Sequence, residues 1–146
     1  MMELIKFYQM LGERGTVMQA ERLLLSLCAP PSRVGFHQLV ATIEYVMQHP
    51  ELTNITRDIY PAVARACHTR PSCIDHNLRS IIEDIWRYGD MCKLKALFPN
   101  AQTYRPGNKA FVFTVASHLL LSRREQAAAH SAQTPSRNSA PGETDA

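Results

Sequence analysis

The sequence predicts an all-α protein, a compact bundle of about six to seven helices that contains a helix-turn-helix. Three observations carry this. Apolar residues recur at spacings of 3 and 4, the helical period, rather than the 2 of a strand. Clusters of Gly, Pro, Asn and Asp punctuate those runs. The stretch Tyr60–Gly89 reads as a short helix, a tight turn and a longer helix.

The elements follow in chain order. Met1–Leu11 reads as a helix with Leu4, Phe7, Tyr8 and Leu11 on one face, broken by Gly12 and Gly15. Residues 1–15 are thus an extra N-terminal helix, whose apolar face completes the core or pairs with another subunit. Thr16-Val17-Met18-Gln19 is a capping-box pattern, with Thr16 as cap. The helix after it runs to about Cys28 and stops at Ala29-Pro30-Pro31. Phe36–Gln48 is a third helix, and Leu52–Arg57 is a short helical segment.

Pro61 suits the first turn of the next helix, where its missing N–H costs nothing. Val63, Ala64 and Cys67 make its apolar stripe. His68 to Ser72 form a turn in which Thr69 can cap the following helix and Pro71 sits near that helix's start. The long helix buries Ile74, Leu78, Ile81, Ile82 and Ile85. Gly89 ends it, as a residue that accepts the left-handed conformation. Asp90 caps another short helix carrying Leu94, Leu97 and Phe98. A loop to Gly107 follows, and Asn108 caps a last helix with Phe111, Val112, Val115, Ala116, Leu119 and Leu120 inward and Arg123 and Arg124 near its end. The helical body therefore spans residues 1–126. From Ala127 no aromatic or β-branched aliphatic residue occurs, so residues 127–146 are expected to be a disordered tail.

Composition narrows the function classes. The 146 residues are 45% hydrophobic with a formal charge of +3, which fits one globular domain that is mildly basic. No run of 18 apolar residues occurs, so no membrane span is expected. Met1–Leu11 lacks the pattern of a signal peptide, which makes the protein cytoplasmic and its four cysteines reduced. Cys67, Cys73 and His76 have the spacing of no standard zinc site, and no metal or other cofactor is expected. No Gly-rich phosphate loop, His-Glu-x-x-His, nucleophile elbow or carboxylate cluster is present, so the chain does not read as an enzyme.

The outer face of the long helix carries Ser72, His76, Arg79, Ser80, Glu83 and Arg87. A polar-faced second helix is what a helix-turn-helix lays in the DNA major groove. Candidates for phosphate contact are Arg65, Arg70, Arg79 and Arg87, with Lys93, Lys95, Arg105 and Lys109 further out. Thr69 and Ser72 add hydroxyls, and open N–H groups at the helix start suit a phosphate. Candidate base readers are Cys73, Asp75, His76 and Ser80. Glu83 and Asp84 read as solvated groups, since acids repel phosphates.

Four segments resemble a known family: PPSRVGF at Pro30–Phe36, HPELTNITRDIYPAVA at His49–Ala64, IIEDIWRYGDMCKLKALF at Ile81–Phe98 and RPGNKAFVFTVASHL at Arg105–Leu119. They are similar to the C-terminal DNA-binding domain of the master sporulation response regulator, stage-zero sporulation protein A. The resemblance covers about Leu24 to Ser122. It implies an all-helical fold with a helix-turn-helix and sequence-specific binding to promoter DNA. Two departures matter. The family has guanine-reading arginines at the positions of Cys73 and His76, and a Glu at Asp75, whereas Arg79 matches a family arginine. The family's full protein also carries a receiver domain first; too few residues precede Leu24 for one here, so no receiver and no control by its phosphorylation in cis are expected.

The sequence thus predicts a transcriptional regulator that binds double-stranded DNA and could do so as a homodimer. The rival is a protein-interaction module that keeps the fold, has lost DNA reading, and binds or titrates a related regulator.

Overall fold

The computed structural model describes residues 14–99 and 105–139, with side chains from 19 to 99 and from 105 to 131. The expected helix at Met1–Leu11 lies outside the described residues. Six α-helices and one π-helical turn occur among them: α1 (Arg14–Ser26), α2 (Val34–Gln48), the π-turn (Ile55–Ile59), α3 (Tyr60–Ala66), α4 (Pro71–Tyr88), α5 (Met91–Leu97) and α6 (Asn108–Ser139). The protein is all-α, as its apolar spacing predicts.

The centre is α2. Phe36, Leu39, Val40, Ala41, Ile43, Val46 and Met47 are all buried, as are Gln38, Thr42 and Glu44. A helix apolar on nearly every side must be enclosed, and α1, α4 and α6 all pack on it. Its polar residues are kept inside by bonds: Thr42 Oγ1 donates to the Gln38 carbonyl at 2.7 Å, and Gln38 Oε1 accepts from Asn77 Nδ2 of α4 at 2.9 Å. Gly35 sets how close α4 can come. A Cβ there would lie 2.7 Å from the Asn77 carbonyl oxygen and 3.2 Å from Ile81 Cβ. The stripe Ile74, Leu78, Ile81, Ile82 and Ile85 of α4 is fully buried against this surface. Beyond it, Phe98 stacks on Phe111 with centroids 5.3 Å apart, and Trp86 meets Phe98 edge-on at 5.3 Å. This aromatic cluster ties α4, the end of α5 and α6 together.

Several boundaries differ from the sequence reading. α1 begins at Arg14 and runs through Gly15 and Thr16, so neither the Gly15 break nor the Thr16 cap forms. The short helical segment expected over Leu52–Arg57 is a π-turn over Ile55–Ile59, capped by Asn54 Oδ1 accepting from Arg57 N at 3.0 Å. Gly89 is extended, with φ −81° and ψ 177°. Glycine is required there by space, since a Cβ would meet the carbonyl oxygens of Ile85 and, at 2.6 Å, Leu27. Asn108 is the first residue of α6 rather than its cap, and the Gly107 carbonyl accepts from Phe111 N at 2.9 Å. α6 continues to Ser139, past residue 126, where the ordered body was expected to end. Ala127, Ala128, Ala129 and Ala132 are strong helix formers, and helix propensity needs no buried surface. Residues 124–131 are accordingly exposed.

Gly35→Ala is predicted to destabilise the fold by about 1–3 kcal/mol, because a backbone oxygen cannot yield as a side-chain tip can. A lower urea midpoint at unchanged slope will show this; a midpoint at or above wild type would refute it.

Candidate nucleic-acid interface

The helix-turn-helix is built from α3, the turn His68–Arg70, and α4. α3 ends in a hydrogen-bonded cap: Thr69 N donates to the Ala64 carbonyl at 2.9 Å and His68 N to that of Arg65 at 3.4 Å. This is the paired-bond helix ending that needs a left-handed residue. His68 takes that role at φ 56°, a conformation that favours glycine. Arg70 flanks α4 without a side-chain cap, and Pro71 is in the first turn. Thr69 is therefore not the cap of α4. Its hydroxyl hydrogen-bonds the Cys73 thiol, and this contact, with the Arg70 backbone, holds the thiol below its usual range.

α4 presents its stripe to the core and is gripped on both flanks. On one flank Arg33, just before α2, donates through Nη1 to Ser80 Oγ at 3.1 Å and pairs with Asp84 at 2.7 Å. On the other flank stands a polar knot around Asp75. Asn108 Nδ2, from the start of α6, donates to the Asp75 carbonyl at 2.9 Å, to Asp75 Oδ1 at 3.2 Å and to Tyr60 Oη at 3.0 Å. Arg79 Nη2 donates to Asp75 Oδ2 at 2.6 Å. The Tyr60 phenol is pushed up to about 12, first by burial. Beside this knot is a notch of about 520 Å³, whose lining includes Thr56, Arg79, Arg105 and Lys109.

What remains outward on α4 is a strip of exposed side chains: Ser72, Cys73, His76, Arg79, Glu83 and Arg87. Arg65 and Arg70 are exposed beside it on α3 and the turn, and Lys93 and Lys95 on α5. Two expected base readers fall away from this strip. Asp75 has both carboxylate oxygens engaged, and Ser80 is partly buried under Arg33. Glu83 lies 3.6 Å from Arg87, one turn along, and so offsets part of that cation. Among the described residues no group of three or more His, Cys, Asp or Glu is placed to hold a metal ion. Cys67 is half-buried, and burial pushes its thiol up to about 11.

A family model described as "Sporulation initiation factor Spo0A C terminal" matches residues 20–119. The chain belongs to the Spo0A C-terminal family. The match begins within α1 and ends within α6, so it takes in the helix-turn-helix and both flanking grips. The Spo0A C-terminal domain is a helical DNA-binding domain of sporulation regulators, which gives this chain its broad class: DNA binding and transcription regulation. No helix among the described residues is long and apolar enough to cross a membrane.

Arg33, Tyr60 and Asn108 were not among the expected site residues. Their roles rest on contacts 47, 48 and 33 residues apart in sequence, which spacing within one helix cannot reveal. Arg105 and Lys109 stood only as outer phosphate candidates; the notch brings them beside Arg79.

The Tyr60 phenol gives a pH signature. Its ordinary value is 10, and in the folded protein it is about 12. Below pH 10 it is neutral in both states. Above that, the unfolded chain releases the proton while the folded chain keeps it, so stability falls as pH rises toward 12, by at most about 1.4 kcal/mol per pH unit from this group. Unfolding measured from pH 9 to 12 is expected to show a shallower decline in Tyr60→Phe than in wild type; parallel declines would contradict the assignment.

Proposed function

We propose that this chain is a sequence-specific transcriptional regulator that docks the exposed strip of α4 in the major groove of promoter DNA. The observation that carries this is the strip itself. α4, held to the body on both flanks, presents Ser72, Cys73, His76 and Arg79 to solvent, with no element of the described residues across them. The major groove is about 12 Å wide and admits one α-helix. Arg65, Arg70 and Arg87, with Lys93 and Lys95 beyond, supply the cations that meet phosphates on either side.

The base code differs from that of the family pattern. Cysteine and a neutral histidine cannot make the paired contact to guanine O6 and N7 that an arginine makes. On the strip, Arg79 is the residue suited to that contact, and Cys73 and His76 offer single donors or a small apolar surface. The target should therefore hold fewer specified guanines than the family's arginines would read.

A second reading, a fold-retaining module that binds a related regulator and no DNA, draws on the same two substitutions. It also draws on Tyr88 and Met91, large apolar side chains left exposed at the end of α4 and the start of α5. Salt dependence separates the two. With three to five phosphates met, the logarithm of affinity for a selected duplex should fall with the logarithm of salt at a slope of about −2.7 to −4.5. Arg79→Ala should cost about 1–3 kcal/mol on that duplex and much less on an unrelated one. A fluorescence titration showing no binding to any duplex at low salt would favour the second reading.

A further inference from the structure

We infer that Asp75 is a positioning residue for Arg79: it decides which base pair Arg79 reads and does not itself read a base. This inference rests on the DNA-binding reading above. Asp75 Oδ2 accepts from Arg79 Nη2 at 2.6 Å, and Oδ1 accepts from Asn108 Nδ2 at 3.2 Å. The Asp75 backbone carbonyl accepts from the same Asn108 amide at 2.9 Å, and the Tyr60 hydroxyl hydrogen-bonds the carboxylate. A carboxylate held from α3 and α6 at once is not free to swing out to a cytosine amino group.

The pair with Arg79 has little use as a stabilising contact. Both side chains are more than a third exposed, and exposed pairs one helical turn apart contribute little. Its consequence is geometric. A free arginine samples many rotamers and must lose them on docking. Here one Nη2 hydrogen is spent on a fixed carboxylate, which aims the rest of the guanidinium from the strip while leaving four N–H donors for a base edge or a phosphate. The docking of α6 through Asn108, 33 residues away in sequence, thereby enters base choice.

The test is a double-mutant cycle on the full chain. The wild-type protein selects a duplex from a random pool, and affinities are measured for that duplex, for each single-base-pair change and for an unrelated duplex, at one salt concentration. Asp75→Asn keeps the acceptor for Asn108 and removes the charge that holds Arg79. Arg79→Ala is expected to erase preference at one or two adjacent base pairs by about tenfold or more. Asp75→Asn should erase preference at those same pairs, leave the thermal midpoint and binding to the unrelated duplex near wild type, and add nothing in the Arg79→Ala background. A change at a base pair that Arg79→Ala leaves untouched would overturn the inference, as would equal losses on every duplex. Both outcomes require a wild type that selects DNA, so they are distinct from failure of the functional reading, in which the wild type selects no duplex and the inference falls with it.

Discussion

Everything outward on α4 depends on how closely α2 and α4 can approach. Gly35 lets the α4 backbone lie against the start of α2 at a distance that any side chain would prevent. That contact buries five aliphatic side chains on one side of α4 and fixes its rotation about its own axis. A helix whose inner face is set this firmly has its outer face set too. The exposed strip is thus a consequence of packing rather than a separate arrangement.

Rotation alone would leave α4 free to tilt or slide, and the two flanks remove that freedom. Arg33 grips Ser80 and Asp84 on one side, and Asn77 bonds Gln38 beneath. Asn108 and Tyr60 hold Asp75 on the other. These are polar contacts at the edge of an apolar interface. They add modest energy and direction, because a hydrogen bond weakens steeply once its angle falls below about 120°, whereas apolar contact is non-directional. A rigid element that carries a reading surface is what base-edge recognition needs, since a misplacement of about 1 Å loses a paired contact.

The fold was legible because its logic is local. The apolar spacing of Ile74, Leu78, Ile81, Ile82 and Ile85 gives both the helix and its buried face, and Asp90 caps α5 through Cys92 and Lys93 as its type suggests. Reading failed where two elements meet. Gly89 looked like a left-handed ending, yet its role is steric, set in part by Leu27 in the turn after α1, far back in the chain. Asn108 looked like a cap because asparagine caps helices well, yet it stands inside the first turn of α6, and its Nδ2 serves Tyr60 and Asp75. Asp75 and Ser80 lie on the margins of the outward face, where helical spacing cannot distinguish solvent from a neighbouring helix. The strip at Ser72, Cys73, His76 and Arg79 was found because it sits opposite the stripe, well clear of both margins.

The role proposed for α4 makes its outer strip the surface that meets DNA. Backbone amide shifts in a nitrogen-15 NMR titration with a selected duplex test it most directly. The largest changes are expected on Ser72, Cys73, His76 and Arg79, with smaller ones at Arg65, Arg70 and Arg87, while Ser117 and Leu121 on α6 stay still. Changes centred on α6, or on Leu25, Tyr88 and Met91, with the strip unmoved, would contradict it.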